Sequence, residues 1–340
     1  MRGRARYHGY LGTPQSSRTR VIAFVLANLI SLGLLVWTLR DANLGDLRDD
    51  IVALNWWWVA LAVVAELSVY LWQAERWRLV LRPVASLQFG QAVRAIFVGS
   101  FASEVLPVRG GELLRGYMVS RWTELPFSVS LASVLIERVF DGICLWLGLL
   151  VALKYVALPA DLKYLNDGLG VFVWAGTVLL ALALFRPRIP RDEFPERGWG
   201  RRLAVLMDDL ALIGHSRYLF FALAQSLPYL FLQAIPIWAL FQAYGFDFGL
   251  GVALAIMLIL RLASILPQAS LNLGLFSFLT KVLLDKTFNV VPDQAARFSL
   301  LLWGVVKLPV LLAGFAALAI TEARIGELRK AAHEQASLHQ

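Results

Sequence analysis

The stretch Ser103–Arg115, SEVLPVRGGELLR, combines two acidic residues, two arginines, a proline and a glycine pair within an apolar part of the chain. Pro107 lacks a backbone N–H and predicts the end of the helix that precedes it. Gly110-Gly111 permits a tight turn, after which Glu112 lies in the first turn of a new helix. The stretch therefore predicts a helical hairpin over Gly90–Met118, with these charges at its tip.

The composition around this stretch is that of a membrane protein. The chain is 59% hydrophobic and 16% charged, with a mean hydropathy of +0.64, whereas soluble domains carry about 25% charged residues. The net charge of +8 comes from basic residues that flank apolar runs, which indicates membrane topology and excludes nucleic acid as a partner. The single Cys144 and four histidines outside the apolar runs predict no metal, cofactor or catalytic residue.

Six apolar runs have the length of a spanning helix. They are Val21–Leu39, Trp56–Trp72, Phe127–Leu153, Leu169–Phe185, Tyr218–Phe241 and Phe298–Ile320. The first 20 residues hold five arginines and no acid, and the loop Arg186–Arg202 holds six arginines, so both are expected in the cytoplasm. No A-x-A-like site follows the first run, which favours a retained helix over a signal peptide.

A second short apolar segment, Gly249–Leu266, resembles the segment at the first hairpin, and this suggests an internal repeat. The matching pairs are Tyr70-Leu71 with Tyr229-Leu230, Phe89-Gly90 with Phe248-Gly249, Ala95-Ile96 with Ala255-Ile256, Ala102-Ser103 with Ala263-Ser264, Leu106-Pro107 with Leu266-Pro267, and Gly111 with Gly274. Three crossings separate the two hairpins, so the second copy is expected upside down.

The expected fold class is thus an all-α polytopic membrane protein, with six spanning helices and two re-entrant hairpins in an inverted repeat. Its parts would be a basic tail at 1–20, a membrane domain at 21–320 with repeats over 56–185 and 218–320, and a C-terminal tail at 321–340. Inverted repeats with broken helices are typical of transporters, and irregular backbone at membrane depth predicts a polar cavity. The alternative is that both hairpins cross fully, giving about ten segments; their shortness disfavours it.

Charged residues inside apolar segments are expected to face inward or pair, because each costs about 2.5–3.5 kcal/mol at a lipid-facing helix centre. They are Glu66, Arg94, Glu104, Arg109, Glu112, Arg115, Glu137, Arg138, Asp141, Arg261, Lys281 and Lys307. At the first tip, helix N–H groups with Arg109 and Arg115 form either an anion site or a structural turn capped by Glu112. Glu137, Arg138 and Asp141 lie close on one helix, either completing that site or fixing helix packing.

At these residues the chain resembles the membrane domain of the lysyl-phosphatidylglycerol synthase/flippase family, the membrane half of the bacterial multiple peptide resistance factor. The residues that match the family pattern are Pro107, Arg109, Gly111, Glu112, Arg115, Glu137, Arg138 and Asp141. In the second half, the family's Pro-Gly-Gly-x-Gly-x-x-Glu is replaced here by Ser270, Leu271, Asn272, Gly274 and Ser277. The resemblance implies a bacterial inner-membrane protein that moves a lipid across the bilayer, without lysyl transfer.

The candidate headgroup site is concentrated in the first half of the chain. We expect the substrate-binding residues to be Arg109, Glu112, Arg115, Glu137, Arg138, Asp141, Asn272, Ser277 and Lys281, with hinges at Pro107, Gly110, Gly111, Pro267 and Gly274. Arg109 and Arg115 would hold an anionic or glycosylated headgroup, and Arg138 would tie the hairpin to the next span. The alternatives are a membrane enzyme acting on a lipid-linked phosphate or sugar, and a scaffold for lipid-synthesis enzymes; a homo-oligomer is compatible with each.

Overall fold

The computed structural model describes residues 14–105, 110–156, 158, 161–185, 199–214, 216–264 and 270–338, and in these ranges the chain is helical without a strand. The helices are α1 (Pro14–Leu39), α2 (Leu47–Ala53), α3 (Trp56–Leu81), α4 (Phe89–Val105), α5 (Gly111–Thr123), α6 (Phe127–Tyr155), α7 (Asp161–Phe185), α8 (Trp199–Ile213), α9 (Arg217–Leu232), α10 (Ile235–Tyr244), α11 (Leu250–Ala263), α12 (Leu273–Val282) and α13 (Pro292–Leu338). The expected all-helical class is confirmed. Both hairpin tips, 106–109 and 265–269, lie outside the described residues.

Within the described residues, four helical segments are long and apolar enough to cross a membrane. They are Trp56–Leu81, Leu162–Phe185, Arg217–Tyr244 and Pro292–Thr321. The shortest has 24 residues, which at about 1.5 Å per residue exceeds the roughly 30 Å of a bilayer's hydrocarbon core. Helix α6 has 29 residues but carries three charged residues near its middle, and Val25–Leu39 of α1 is shorter.

Several predicted boundaries differ from the observed helices, and three of the differences bear on the site. Helix α3 continues to Leu81, beyond the predicted end at Trp72, because its last turns are buried against other helices. The predicted span Tyr218–Phe241 is divided into α9 and α10, since Pro236 at the start of α10 cannot continue the hydrogen bonding of α9. The end of the predicted loop Arg186–Arg202 already belongs to α8.

The helix pair α4 and α5 and the helix pair α11 and α12 connect to the rest of the chain near opposite ends of α3. At the C-terminal end of α3, Val84 and Leu125, which flank the hairpin of α4 and α5, pack in one apolar cluster with Tyr218 of α9. At the N-terminal end, the Asn55 N–H donates to Ala243 O at 3.1 Å. Phe248, between α10 and α11, also lies near this second end. Its ring lies 5.7 Å from that of Phe288, which follows α12.

Glycines allow unusually close helix packing in both hairpins. A Cβ on Gly111 would lie 1.7 Å from the carbonyl oxygen of Gly99, so α4 and α5 are in backbone contact. A Cβ on Gly274 would lie 1.7 Å from the carbonyl oxygen of Ser31, so α12 is equally close to α1. Gly110, in contrast, has φ −60°, a conformation that any residue adopts. Gly111 is therefore needed for packing, and Gly110 has no conformational requirement for glycine.

We expect Gly111→Ala to lower the free energy of unfolding by about 1–3 kcal/mol or more, because the new methyl group meets backbone that cannot rotate away. Gly90→Ala is the matched control, since nothing lies within 4 Å of a Cβ at that position on α4. Thermal unfolding in detergent measures both variants. Equal stability of the two variants would show that α4 and α5 are not in contact at Gly111.

The start of α12 has a left-handed backbone. Leu271 and Asn272 have φ of 61° and 46°, which costs a residue with a Cβ roughly 1–2 kcal/mol. The indole N–H of Trp303 donates to the Leu271 carbonyl oxygen at 2.9 Å and holds this turn on α13. Glycine adopts this conformation without the cost, so Leu271 and Asn272 are strained positions of the backbone.

Candidate functional site

Helix α6 carries the centre of a buried ion-pair network. Glu137 is fully buried, and its carboxylate oxygens lie 3.4 Å from Arg76 on α3 and 2.8 Å from Arg115 on α5. One turn later, Asp141 lies 2.7 Å from Arg76 and 3.5 Å from Arg138. The network therefore joins three helices, and loss of one member would leave an uncompensated charge in the interior.

The network reaches the first hairpin through two contacts. Arg138 of α6 forms an ion pair with Glu112 in the first turn of α5. Arg115, one turn further along α5, pairs with Glu137 and lies over the ring of Trp77 at 4.8 Å. Each contact fixes α5 to its neighbours, and Arg138 ties the hairpin to the neighbouring helix as expected.

Arg115 keeps unused hydrogen-bonding capacity. Its side chain is 4% exposed, and none of its guanidinium nitrogens makes an aligned hydrogen bond within the described residues. The 2.8 Å approach to Glu137 is an ion pair by distance but lacks hydrogen-bond alignment. Buried donors without acceptors are costly, so this guanidinium is ready to bind a water or an anionic ligand.

A cavity of about 270 Å³ lies beside the network. Seven helices and the turn before α12 contribute charged or polar residues to its wall. These residues are Glu66, Tyr70, Gln73, Ser100, Ser103, Glu104, Glu112, Arg115, Arg138, Tyr229, Gln233, Arg261, Ser264, Asn272 and Lys307. The cavity is therefore polar although it is enclosed by apolar helices, and it is large enough to hold several waters or a small polar group.

Equivalent positions of the sequence repeat meet in this cavity. Tyr70 and Tyr229 both line it, as do Ser103 and Ser264. Each pair was aligned from the sequence alone, and each brings one residue from the first half and one from the second half to the same wall. The cavity is therefore formed jointly by the two halves of the chain.

The charged residues of the second half are distributed differently from those of the first. Lys307 of α13 forms an ion pair with Glu104 of α4, and this contact joins the two halves. Arg261 of α11 contacts only the Tyr229 hydroxyl, at 3.4 Å, and has no carboxylate partner within the described ranges. Among the described residues, Arg261 is thus a cavity cation that forms no ion pair.

Comparison with known proteins places the chain in a family. Residues 22–314 match the family described as the lysylphosphatidylglycerol synthase TM region, which is far more than half of the chain. The chain belongs to this family. With its long apolar helices, family membership makes it a multi-pass membrane protein.

Two known proteins match this chain over shorter segments. A UPF0104 membrane protein of Methanothermobacter thermautotrophicus is 30% identical over 104 residues, which is 30% of this chain and 30% of that protein. A protein of Haloferax volcanii named glycosyltransferase AglD is 30% identical over 129 residues, 36% of this chain and 20% of that protein. The chain thus spans less than a third of the length of each relative.

The structure brings together most of the residues expected at the site. Glu112, Arg115, Arg138 and Asn272 line the cavity, and Glu137 and Asp141 belong to the network beside it. Arg109, Pro107 and Pro267 lie outside the described residues. Ser277 and Lys281 were also expected in the cavity wall, but both are buried and neither is among the residues that line the cavity.

Lys281 pairs with an acid at the end of the first helix. Its ammonium group forms an ion pair with Asp41, just after α1, and lies 4.3 Å from the ring centre of Trp37. This contact and the Gly274–Ser31 approach hold α12 on α1. The hydrogen bond from Lys281 lowers the pKa of Asp41 below its ordinary value, so the contact contributes stability that is lost as the pH falls through that lowered pKa.

We expect Asp41→Asn to lower the melting temperature at pH 7, because Lys281 is then buried without a counter-charge. The difference from the wild type should begin to shrink below about pH 4, the ordinary pKa of an aspartate, and should vanish as the pH falls through the lowered pKa of Asp41. Asp49→Asn is the control, since Asp49 is exposed and forms no ion pair in the described structure. A difference that persists unchanged at low pH would contradict this assignment.

Sequence reasoning missed Arg76, the residue that bridges Glu137 and Asp141. It was overlooked because the second apolar run was ended at Trp72, whereas α3 extends to Leu81. The spacing of polar residues could have identified Arg76, because Glu66, Gln73 and Arg76 recur at helical spacing on α3. The first two of these residues line the cavity.

Proposed function

We propose that the protein translocates an anionic or glycosylated lipid across the cytoplasmic membrane of a bacterium. The observation that carries the proposal is the charged cavity at the junction of the two halves, within a bundle of long apolar helices. In this role the cavity shelters the polar headgroup from the hydrocarbon, while the acyl chains stay among the lipids. A polar cavity lowers the main barrier to headgroup passage, which is desolvation in the bilayer core.

The proposed topology has six spanning helices and two re-entrant hairpins that enter from opposite faces. It is supported by the contacts at the hairpin bases, which lie at opposite ends of α3. Helices α1, α3, α6, α7, α9 with α10, and α13 would cross the membrane. Both termini and the arginine-rich segment after α7 would then lie on the cytoplasmic side.

Headgroup binding is assigned to the cations that have capacity left for a ligand. Arg115 has unpaired donors, and Arg261 has no carboxylate partner in the described part of the chain. A phosphate or phosphodiester suits both, because guanidinium groups recognise phosphate oxygens through paired hydrogen bonds. Asn272 and the serines on the wall suit the hydroxyl groups of a glycosylated headgroup.

The proposal assigns no catalytic residue and no cofactor to the chain. A relative is named a glycosyltransferase, and this supports a second candidate, a membrane unit that handles a lipid-linked sugar. The cavity carboxylates Glu104 and Glu112 each form an ion pair with a cationic side chain, and this makes them poor proton acceptors in catalysis. A scaffold for lipid-synthesis enzymes would not need a charged cavity between its halves.

The translocation test uses purified protein in liposomes with a trace of headgroup-labelled lipid, whose label is quenched from outside. We expect faster loss of protected label for phosphatidylglycerol or a glycolipid than for phosphatidylcholine. Ser264→Phe, which fills the cavity, should abolish the gain, whereas Ser68→Phe on α3 outside the cavity should not. No translocation of any anionic or glycosylated lipid would refute transport, and chemically altered lipid would favour the enzyme.

The topology is tested by single cysteines at the hairpin bases in a Cys144→Ser background. Cysteines at Ala85 and Glu124 are expected to react from one side of the membrane with an impermeant maleimide. Cysteines at Asp247 and Asn289 should react only from the other side. Reaction of all four from the same side would exclude hairpins that enter from opposite faces.

A further inference from the structure

Glu66 is the charged cavity residue with the most unusual placement. It lies ten residues into α3, about 15 Å from the start of the helix and therefore near the middle of a hydrocarbon core of roughly 30 Å. It is 7% exposed, and what exposure remains is to the cavity that it lines. Its position on a long apolar helix contributes nothing to helix formation that an apolar residue would not provide.

Glu66 has no partner, unlike the other acids of this region. Glu104 pairs with Lys307, Glu112 pairs with Arg138, and Glu137 and Asp141 pair with arginines. Within the described ranges, Glu66 forms no hydrogen bond and no ion pair with the protein. An ionised carboxylate at this depth without a partner is strongly disfavoured, and the neutral acid is the form that burial allows.

The charges that act on Glu66 come from three other helices. Lys307 of α13 and Arg261 of α11 attract its carboxylate, while Glu104 of α4 repels it. Lys307 is already paired with Glu104, so the two largely cancel, and Arg261 is the free cation of the group. The further titratable groups on the cavity wall are Tyr70 on α3, Glu112 and Arg115 on α5, Arg138 on α6 and Tyr229 on α9.

We propose that Glu66 is a proton-binding site that couples proton uptake to the binding of an anionic headgroup; this inference rests on the proposed function. When Glu66 holds a proton, Arg261 has no competing carboxylate and binds the phosphate of the lipid. When Glu66 loses the proton to water in the cavity, its carboxylate becomes the counter-charge of Arg261 and displaces the phosphate. A proton and an anionic lipid are thus bound and released together, so a proton gradient drives the lipid.

Proton binding is tested on the purified full-length protein without transport. Dicyclohexylcarbodiimide reacts with protonated carboxyl groups in apolar surroundings, and mass spectrometry locates the modified residue. We expect modification of Glu66 at pH 7 that declines as the pH is raised, and none at Glu124, which is exposed to water. An unmodified Glu66 at every pH, while the reagent labels another buried acid, would overturn the inference.

Coupling is tested by the pH dependence of phosphatidylglycerol binding in detergent. The wild type is expected to bind this lipid about tenfold more weakly at high pH than at pH 6, because the ionised Glu66 competes for Arg261. Glu66→Gln mimics the protonated acid and should bind tightly and equally at both pH values. The same pH dependence in wild type and Glu66→Gln would overturn the coupling.

Transport in proteoliposomes distinguishes a failure of proton coupling at Glu66 from a failure of lipid translocation itself. Translocation by the wild type that an imposed pH gradient does not accelerate would leave lipid transport intact and remove the coupling. Absence of translocation together with the expected labelling and pH-dependent binding would refute transport and keep the proton site. Acceleration by the gradient in the wild type and its loss in Glu66→Gln support both.

Discussion

Arg76→Met is expected to lower the free energy of unfolding by about 3–5 kcal/mol, because two buried carboxylates then face each other without the cation between them. Glu137 is fully buried and Asp141 is only 15% exposed, so water compensates little for the loss of the cation. The loss also leaves Ser226, which accepts a hydrogen bond from Arg76 at 3.0 Å, without its donor. Denaturant unfolding in detergent, followed by tryptophan fluorescence, measures the change.

A control on the same helix and a compensating variant make this prediction specific. Arg78 pairs with Glu75 at the surface, and Arg78→Met should cost less than about 1 kcal/mol. Adding Asp141→Asn to Arg76→Met removes one negative charge for the positive charge that is lost, while Glu137 keeps Arg115 as its partner, and should recover part of the loss. A cost as small for Arg76→Met as for Arg78→Met would mean that the network does not hold the three helices together.

Arg261→Gln is expected to reduce translocation of an anionic lipid about 10- to 100-fold, since a charge-assisted hydrogen bond contributes about 1.5–3 kcal/mol to binding. Arg261 forms no ion pair with a carboxylate in the described structure, so its replacement does not deprive a buried acid of an ion-pair partner. The folded structure should therefore survive. The proteoliposome assay with labelled phosphatidylglycerol gives the rate, and thermal unfolding gives the stability.

The matched control for Arg261 is Arg82, an exposed arginine outside the cavity that lies over the ring of Tyr218. Arg82→Gln should translocate the lipid at the wild-type rate. If Arg261→Gln transports normally while remaining folded, the headgroup does not depend on this cation. If both variants lose transport equally, the effect reflects general surface charge at the membrane.

The architecture could be predicted from the sequence largely because hydropathy reports membrane spans directly. In lipid, helices must satisfy their own backbone, so apolar length and broken runs carry most of the information. Boundaries were less predictable: the polar residues Gln73 and Arg76 made α3 seem to end early, although tertiary burial continues it to Leu81. The break between α9 and α10 depends on Pro236, whose effect on a long apolar run cannot be read from hydropathy alone.

The proximity of three candidate residues could be predicted from the sequence, but the pairing of the charges could not. Glu112, Arg115 and Arg138 lie together as expected, because their spacing within a hairpin and the next helix restricts where they can meet. Which acid pairs with which base depends on how each helix is rotated about its own axis. This rotation cannot be read from the separation of residues along the sequence. Lys281 illustrates this, since its partner, Asp41, is 240 residues away.

The attachment of α12 to α1 has a consequence for the order in which the protein is built. Ser31 meets Gly274 across 243 residues of chain, so α1 is synthesised long before the helix that completes its packing. Until Lys281 is in place, Asp41 pairs only with its neighbour Arg40 within the described residues. Translation that stops anywhere in between leaves Ser31 and Asp41 without their contacts on α12.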